Sequence, residues 1–175
     1  MSVKGKRIVV TGGARGIGAR LVGELRERGA EVTSTDILPG CDIFCDVSNE
    51  QDVIALFDQV GDIDGLVNNA ALLVGRRSFH EISIEEWDRM MALNARSFAG
   101  LLHAFLPGML ARGEGRVVHE AGRAADRDVL VSRWQCRITT CRPPTGPWAL
   151  PTPSAQYRSG RWRRIAGISA SPSSE

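Results

Sequence analysis

A glycine-rich turn near the start of the sequence constrains the fold most. Arg7–Thr11 is an apolar, β-branched run typical of a buried strand, and the turn after it is Gly12-Gly-Ala-Arg-Gly-Ile-Gly18. An amphipathic stretch follows, so the order is strand, glycine turn, helix. Glycines at such a turn let the backbone approach a diphosphate, which the free N–H groups at the start of the helix then bind. We therefore predict a phosphate-binding loop rather than a turn that merely needs small residues.

The chain up to Val118 continues this alternation of strands and helices. Short runs at 31–35, 42–47, 64–68 and 115–118 alternate with stretches of helical periodicity. Such alternation is typical of an α/β fold with a parallel sheet covered by helices. About six residues separate the second and third runs, too few for a crossover helix, so we expect a loop through Pro39-Gly40.

Local patterns predict three helices and their buried faces. The helix after the glycine turn should bury Ile17, Leu21, Val22 and Leu25. Ser48-x-x-Gln51 is interpreted as a capping box for a second helix, which should bury Val53, Ile54, Phe57 and Val60. Ser83-x-x-Glu86 should open a long third helix that includes Trp87, Met90, Met91, Asn94 and Leu101-Leu102.

Charged residues near the turn bear on the kind of dinucleotide. Asp36 ends the second strand about 20 residues beyond the turn, where a carboxylate can accept hydrogen bonds from ribose hydroxyls and repel a 2′-phosphate. This favours NAD over NADP. Arg15 argues the other way, because a guanidinium in the loop could pair with a 2′-phosphate. We give Asp36 the greater weight.

Asparagines mark two further places. Asn68-Asn69-Ala70-Ala71 ends the fourth strand, where amides can hold backbone and ribose. Asn94 lies on the apolar stripe of the long helix, where an amide costs stability unless it finds partners. From the residues alone, Asn94 is either a satisfied core or interface residue or a functional one.

Five features follow one another within residues 5–118: Thr11-Gly-x-x-x-Gly16-x-Gly18, Asp36, Asp46-Val47, the Asn68–Ala71 block and Asn94. In these features the sequence resembles the short-chain dehydrogenase/reductase family. The resemblance implies a Rossmann-type doubly wound parallel sheet and hydride transfer between a nicotinamide and a small alcohol or ketone. The diphosphate would lie on the loop, with Gly12, Arg15, Gly16, Ile17 and Gly18 as candidate ligands. Asp36 would hold the adenosine ribose, Asp46-Val47 the adenine, and Asn68 and Ala70 would border the nicotinamide. Asn94 would help to organise a proton path, and Ala71 departs mildly from the usual glycine.

The sequence departs from the family where the catalytic residues should begin. The family places a serine soon after the fifth strand, then a tyrosine with a lysine four residues on; here His119-Glu-Ala-Gly-Arg follows that strand. Lys4 and Lys6 are the only lysines, and the only tyrosine, Tyr157, is followed four residues later by Arg161. Arginine is wider and planar, so it does not simply replace the lysine. We expect negligible dehydrogenase activity.

Composition changes abruptly after Val118. Residues 1–118 carry 13 Lys and Arg against 16 Asp and Glu, whereas residues 119–175 carry 9 against 4. Five prolines within residues 143–153 disfavour both helix and central strand. We therefore expect a truncated Rossmann segment over 1–118, with the fifth strand as an exposed edge, and an irregular basic tail over 119–175. A shifted reading frame or an unrelated terminal exon is our hypothesis for that tail.

The remaining features narrow the function classes. No run approaches the ~20 apolar residues of a membrane span, and the apolar run after Arg7 is too short for a signal peptide, so a cytoplasmic protein is expected. The four cysteines lack metal-ligand spacing and are interpreted as reduced thiols. The basic tail is weak evidence for nucleic-acid binding, so no such partner is expected.

Three interpretations stay open: an impaired NAD-linked oxidoreductase, a non-catalytic dinucleotide- or partner-binding protein, and a product without stable function. Oligomeric state and substrate are not predicted.

Overall fold

The protein is described by a computed structural model for residues 2–73 and 78–119, and for the backbone alone over 134–139. These residues belong to one compact unit, Met1–Cys141. The strands are β1 (Arg7–Thr11), β2 (Glu31–Asp36), β3 (Ile43–Phe44), β4 (Gly65–Asn68), β5 (Glu114–His119) and β6 (Trp134–Thr139). The helices are α1 (Gly16–Glu27), α2 (Glu50–Val60), α3 (Ile84–Met91) and α4 (Ser97–Arg112), with a 3₁₀ turn at Phe79–Glu81 and a π-helical segment at Ala92–Arg96.

The sheet has the order β3-β2-β1-β4-β5-β6, and its first five strands are parallel. The chain direction across the sheet reverses between β1 and β4, so the carboxyl ends of these two strands form a switch point where ligands bind in open α/β sheets. The predicted doubly wound α/β fold is confirmed.

Alternate residues of β1 face two hydrophobic clusters on opposite sides of the sheet. Val9 packs with Leu56 of α2 and Phe105 of α4, whereas Val10 packs with Val22 of α1. Helices therefore cover both faces of the sheet at its centre.

The predicted inner face of α1 is confirmed except at its first residue. Val22 is buried and Leu21 and Leu25 pack against it, but Ile17 is 72% exposed. Ile17 lies in the first turn of α1, directly after Gly16 of the glycine loop. Apolar character at helical spacing therefore overpredicted its burial.

The predictions for β3 and α2 need three corrections. The predicted strand 42–47 is reduced to Ile43–Phe44. Asn49, not Ser48, caps α2, because its side chain accepts a hydrogen bond from the Gln51 N–H at 2.9 Å. Val53 is buried as predicted, Phe57 and Val60 pack against the core, and Leu56 rather than Ile54 is the second fully buried residue of the helix. The predicted loop between β2 and β3 is confirmed over residues 37–42, all of which the structure describes.

The predicted long third helix is confirmed with an interruption. Ser83 and Glu86 form the expected capping box at the start of α3. The helix then passes through the π-helical segment and continues as α4 to Arg112. Such segments shift the side chains that follow them around the helix axis, and they are frequent at functional sites.

The prediction that strand five is an exposed edge is wrong. β6 pairs with β5 in antiparallel orientation, with His119 opposite Trp134 and Glu114 opposite Thr139. The sequence Trp134-Gln-Cys-Arg-Ile-Thr139 alternates apolar and polar residues, a strand pattern that the high proline and arginine content nearby obscured. The described part of the tail therefore contributes the strand β6. The 118/119 boundary stays a prediction, and Tyr157 and Arg161 lie outside the described residues.

The amino ends of the central strands are joined by ion pairs. Lys6, just before β1, lies 3.5 Å from the Asp64 carboxylate and 3.2 Å from that of Glu114. These contacts raise the pKa of Lys6, with the Glu114 hydrogen bond as the main cause. They hold together the end of the sheet opposite the glycine loop. Among the described residues, no helix has the length and apolar character needed to cross a membrane.

Candidate functional site

The glycine loop between β1 and α1 is packed too tightly for side chains at several positions. Gly12 and Gly16 adopt φ values of 67° and 59°, a region that favours glycine. A Cβ atom on Gly18 would collide with the Gly12 carbonyl oxygen and lie 2.7 Å from Asn69 Nδ2. The first turn of α1 can therefore approach the loop only because position 18 is glycine. The predicted strand-to-helix elbow is present.

The amino end of α1 has the properties of an anion site. Its first turn holds no acidic residue, and Arg15 makes no side-chain capping hydrogen bond within the described part of the chain. The first N–H groups of a helix lack intrahelical partners, and the helix dipole places partial positive charge there. The Arg15 and Ile17 side chains are exposed beside them. This end of α1 fits a diphosphate, which needs N–H donors and close backbone approach.

Asp36 lies next to the loop, at the end of β2. Its Oδ2 atom accepts a hydrogen bond from the Ala14 N–H at 3.0 Å, and its Oδ1 atom accepts one from the Leu38 N–H at 3.2 Å. The carboxylate remains partly exposed. It therefore fixes the loop to the strand, a second task that the sequence did not reveal, while lying at the edge predicted for the ribose.

The carboxyl ends of β1 and β4 are joined through Thr11. The Thr11 Oγ1 atom accepts hydrogen bonds from the N–H groups of Asn69 and Ala70, both at 3.0 Å, and donates to Asn68 Oδ1 at 3.1 Å. The Asn69 amide donates to the carbonyls of Thr11 and Gly12. The predicted residues Asn68 and Ala70 are thus brought against the glycine loop, although the buried Asn68 side chain faces protein groups.

His119 is a site residue that the sequence reasoning missed. It ends β5, its Nδ1 atom lies 2.9 Å from Asn68 Nδ2, and its ring stacks on Phe98 with centroids 4.4 Å apart. The available signal in the sequence was its position directly after the predicted fifth strand, at the carboxyl edge where ligands bind in open α/β sheets. The ends of β1, β4 and β5 thereby form one hydrogen-bonded unit.

Asn94 lies in the π-helical segment and faces the chain beyond β4. Its Oδ1 atom accepts from the Leu72 N–H at 2.8 Å, and its Nδ2 group donates to the Leu72 carbonyl at 2.9 Å. The amide is therefore satisfied, as one of the two interpretations required. It holds the segment that follows the Asn68–Ala71 block.

Asp46 and Val47 lie beyond β3 at the same edge of the sheet. The Asp46 carboxylate accepts from the N–H and hydroxyl of Ser48 at 2.9 and 2.7 Å, and the Val47 side chain is buried in the core. A ligand at this position would therefore meet the backbone of Val47 rather than its side chain.

Two titratable groups under the β2–β3 edge have shifted pKa values. Burial raises the pKa of the Cys45 thiol to about 11, so the thiol stays protonated at neutral pH. Burial also acts to raise the pKa of Asp42, but hydrogen bonds from the N–H and hydroxyl of Ser34 and the nearby Arg26 charge outweigh it, and the net shift is downward. The Asp42 carboxylate thereby joins the start of β3 to Ser34 of β2. Cys41 and Cys45 are free thiols, and the side chains of Cys136 and Cys141 lie outside the described residues.

A doubly wound sheet with a glycine loop at its switch point defines a dinucleotide-binding class of protein. Comparison with known proteins gives the family: a family model described as enoyl-(acyl carrier protein) reductase matches residues 12–130. The chain belongs to the short-chain dehydrogenase/reductase family.

Individual relatives agree with this assignment. The chain is 37% identical over 134 residues to D-xylose 1-dehydrogenase of Caulobacter vibrioides, covering 67% of this chain and 54% of that protein. It is 33% identical over 145 residues to sorbitol dehydrogenase of Cereibacter sphaeroides, covering 73% and 56%. A crystal structure of a metagenomic short-chain oxidoreductase in complex with NADP superposes with a TM-score of 0.64 at 30% identity, covering 74% of this chain and 66% of that one. The chain thus spans about half the length of these curated relatives.

Proposed function

We propose that the protein binds a nicotinamide dinucleotide along the carboxyl edge of its sheet. The observation that carries this proposal is the elbow at Gly12–Gly18, where the amino end of α1 lacks a capping side chain and an acidic first turn in the described structure. The diphosphate lies on Gly12, Arg15, Gly16, Ile17 and Gly18. The NADP-bound structural relative supports this assignment by similarity.

The other predicted contacts complete this binding mode. Asp36 takes the adenosine ribose, Asp46 and the Val47 backbone take the adenine, and Asn68 and Ala70 border the nicotinamide through the segment they hold. We propose NAD over NADP, because the Asp36 carboxylate repels a 2′-phosphate at this edge. Arg15 is the group that would support NADP instead.

Two of its relatives are named D-xylose 1-dehydrogenase and sorbitol dehydrogenase, and we propose that the chain shares an origin with oxidoreductases that act on alcohols and ketones. When bound, a nicotinamide supplies the hydride donor or acceptor of such reactions. Efficient proton transfer needs a group whose pKa lies near the working pH. A phenol has an unperturbed pKa of ~10, so it needs a neighbouring cation that lowers this pKa. Because no lysine follows Lys6, we propose that this chain binds the dinucleotide with negligible turnover. In this proposal, the Asn94 side chain fixes the segment at Leu72 through hydrogen bonds to its backbone. A cytoplasmic location stays a prediction.

The test is titration of the purified chain with NADH and NADPH by calorimetry, followed by an activity screen on simple ketones. NADH binding without turnover supports the proposal. Turnover would show that a catalytic apparatus is present, and the absence of binding to a folded protein would reject the cofactor site.

The preference for NADH is tested with Asp36→Asn. This variant should bind NADPH relative to NADH at least tenfold better than wild type, because the repelling charge is removed. Asp58→Asn is the matched control, since Asp58 is an exposed carboxylate on α2 away from the loop. If the ratio of NADPH to NADH affinity is unchanged in Asp36→Asn, Arg15 rather than Asp36 determines the choice between the two dinucleotides.

A further inference from the structure

The hydrogen bonds at the strand ends have a fixed direction that starts at Thr11. A hydroxyl oxygen has two acceptor sites and one proton to donate. Both acceptor sites of Thr11 are occupied by the N–H groups of Asn69 and Ala70. Thr11 is fully buried, so its proton goes to Asn68 Oδ1, the remaining partner within 3.1 Å.

This direction determines the orientation of the Asn68 amide. Because Oδ1 accepts from Thr11, the Nδ2 group must be the side of the amide that faces His119. Asn68 is 1% exposed, so a reversed amide would place its N–H donors against the Thr11 hydroxyl with no water to compensate. The imidazole Nδ1 atom at 2.9 Å therefore has to accept a hydrogen bond.

We infer that His119 is a positioning residue of the cofactor site, held as a neutral imidazole whose proton is on Nε2. Its Nδ1 lone pair completes the chain Ala70–Thr11–Asn68–His119, and this chain locks the β4 end against the glycine loop. The positioning role rests on the proposed function, because that segment borders the nicotinamide. The tautomer follows from the hydrogen bonds alone.

The tautomer is tested by ¹⁵N NMR of the imidazole nitrogens in the unliganded protein at pH 7. The chain has three histidines, and the His119 signals are those lost in His119→Asn. We expect the pattern of an unprotonated Nδ1 and a protonated Nε2. A protonated Nδ1, or an imidazolium at this pH, would overturn the inference. This measurement does not depend on cofactor binding.

The positioning role is tested by two variants with opposite properties. His119→Asn places an amide oxygen as many bonds from the backbone as Nδ1 and removes the ring, whereas His119→Phe keeps a ring over Phe98 and removes the acceptor. We expect His119→Asn to bind NADH within about twofold of wild type, and His119→Phe to bind roughly tenfold more weakly, since one buried donor loses its acceptor.

The outcomes separate this inference from the proposed function. Equal affinities in the two variants, or weaker binding in His119→Asn than in His119→Phe, would overturn the positioning role. A wild-type protein that shows the Nε2–H signature but does not bind NADH would reject the proposed cofactor site and leave the hydrogen-bond chain supported. The NMR result decides the tautomer even where His119→Phe fails to fold.

Discussion

Replacing Gly18 by alanine tests the geometry of the phosphate-binding loop directly. The added Cβ would overlap the Gly12 carbonyl oxygen and lie 2.7 Å from Asn69 Nδ2, inside the 3.0 Å limit that real Cβ contacts respect. Either α1 or the loop must move, and the Gly12 carbonyl is itself held by Asn69 at 3.1 Å. Overpacking of this kind costs about 1–3 kcal/mol.

A matched control lies five residues further along the same helix. A Cβ on Gly23 meets no described atom within 4 Å, so Gly23→Ala should stabilise the protein by about 0.5–1 kcal/mol through helix propensity alone. Gly18→Ala has a comparable propensity gain, so the difference between the two variants isolates the collision. We expect Gly18→Ala to unfold in urea with a free energy about 1–3 kcal/mol below that of Gly23→Ala.

The same pair separates stability from binding. Gly18→Ala should weaken NADH binding at least tenfold, about 1.4 kcal/mol, because the N–H groups of the first turn no longer converge on the diphosphate. Gly23→Ala should bind like wild type. The reasoning is refuted if Gly18→Ala is as stable as Gly23→Ala and binds NADH with wild-type affinity.

Three other perturbations have defined outcomes. Asp42→Asn should lower the free energy of unfolding by no more than about 1 kcal/mol at pH 7, because the carboxylate is 43% exposed and solvent screens its contacts. Because the folded pKa of Asp42 is lowered, this difference is present above pH ~4 and disappears as the pH falls through that pKa; a difference that persists in acid would contradict the assignment. Asn94→Ala should cost about 1–3 kcal/mol in urea unfolding and increase hydrogen exchange at Leu72, whereas unchanged exchange there would argue against the paired amide. Cys45 should resist alkylation at pH 8 in the native state and react in urea, as followed by peptide mass spectrometry; rapid native labelling would contradict its burial and raised pKa.

The sequence was sufficient for the sheet centre and the loop because their signals are local. Glycine spacing, a β-branched strand and helical periodicity all lie within 7–27, and they agree with one another. The capping box at Ser83 could also be predicted, because Ser83 and its partner Glu86 lie within one helical turn. The cap of α2 was mispredicted because the Ser48 hydroxyl donates to the Asp46 carboxylate, whereas the Asn49 side chain accepts from the Gln51 N–H.

Other features depend on contacts between distant segments. Ile17 is exposed although it lies at helical spacing from the buried face of α1, and that spacing does not report which helix residues meet the sheet. His119 gains its partners from β4 and α4, 51 residues away in the case of Asn68. β6 required the recognition of six alternating residues inside a segment whose overall composition predicts irregular chain.

The distribution of lysine has a practical consequence for handling the protein. The only two lysine side chains are those of Lys4 and Lys6, which lie at the amino end of the sheet. The glycine loop and the ends of β1, β4 and β5 lie at the opposite end. Amine-reactive dyes or sensor surfaces that couple through lysine would therefore attach the molecule by the end remote from the loop, which leaves the proposed nucleotide edge directed toward bulk solution.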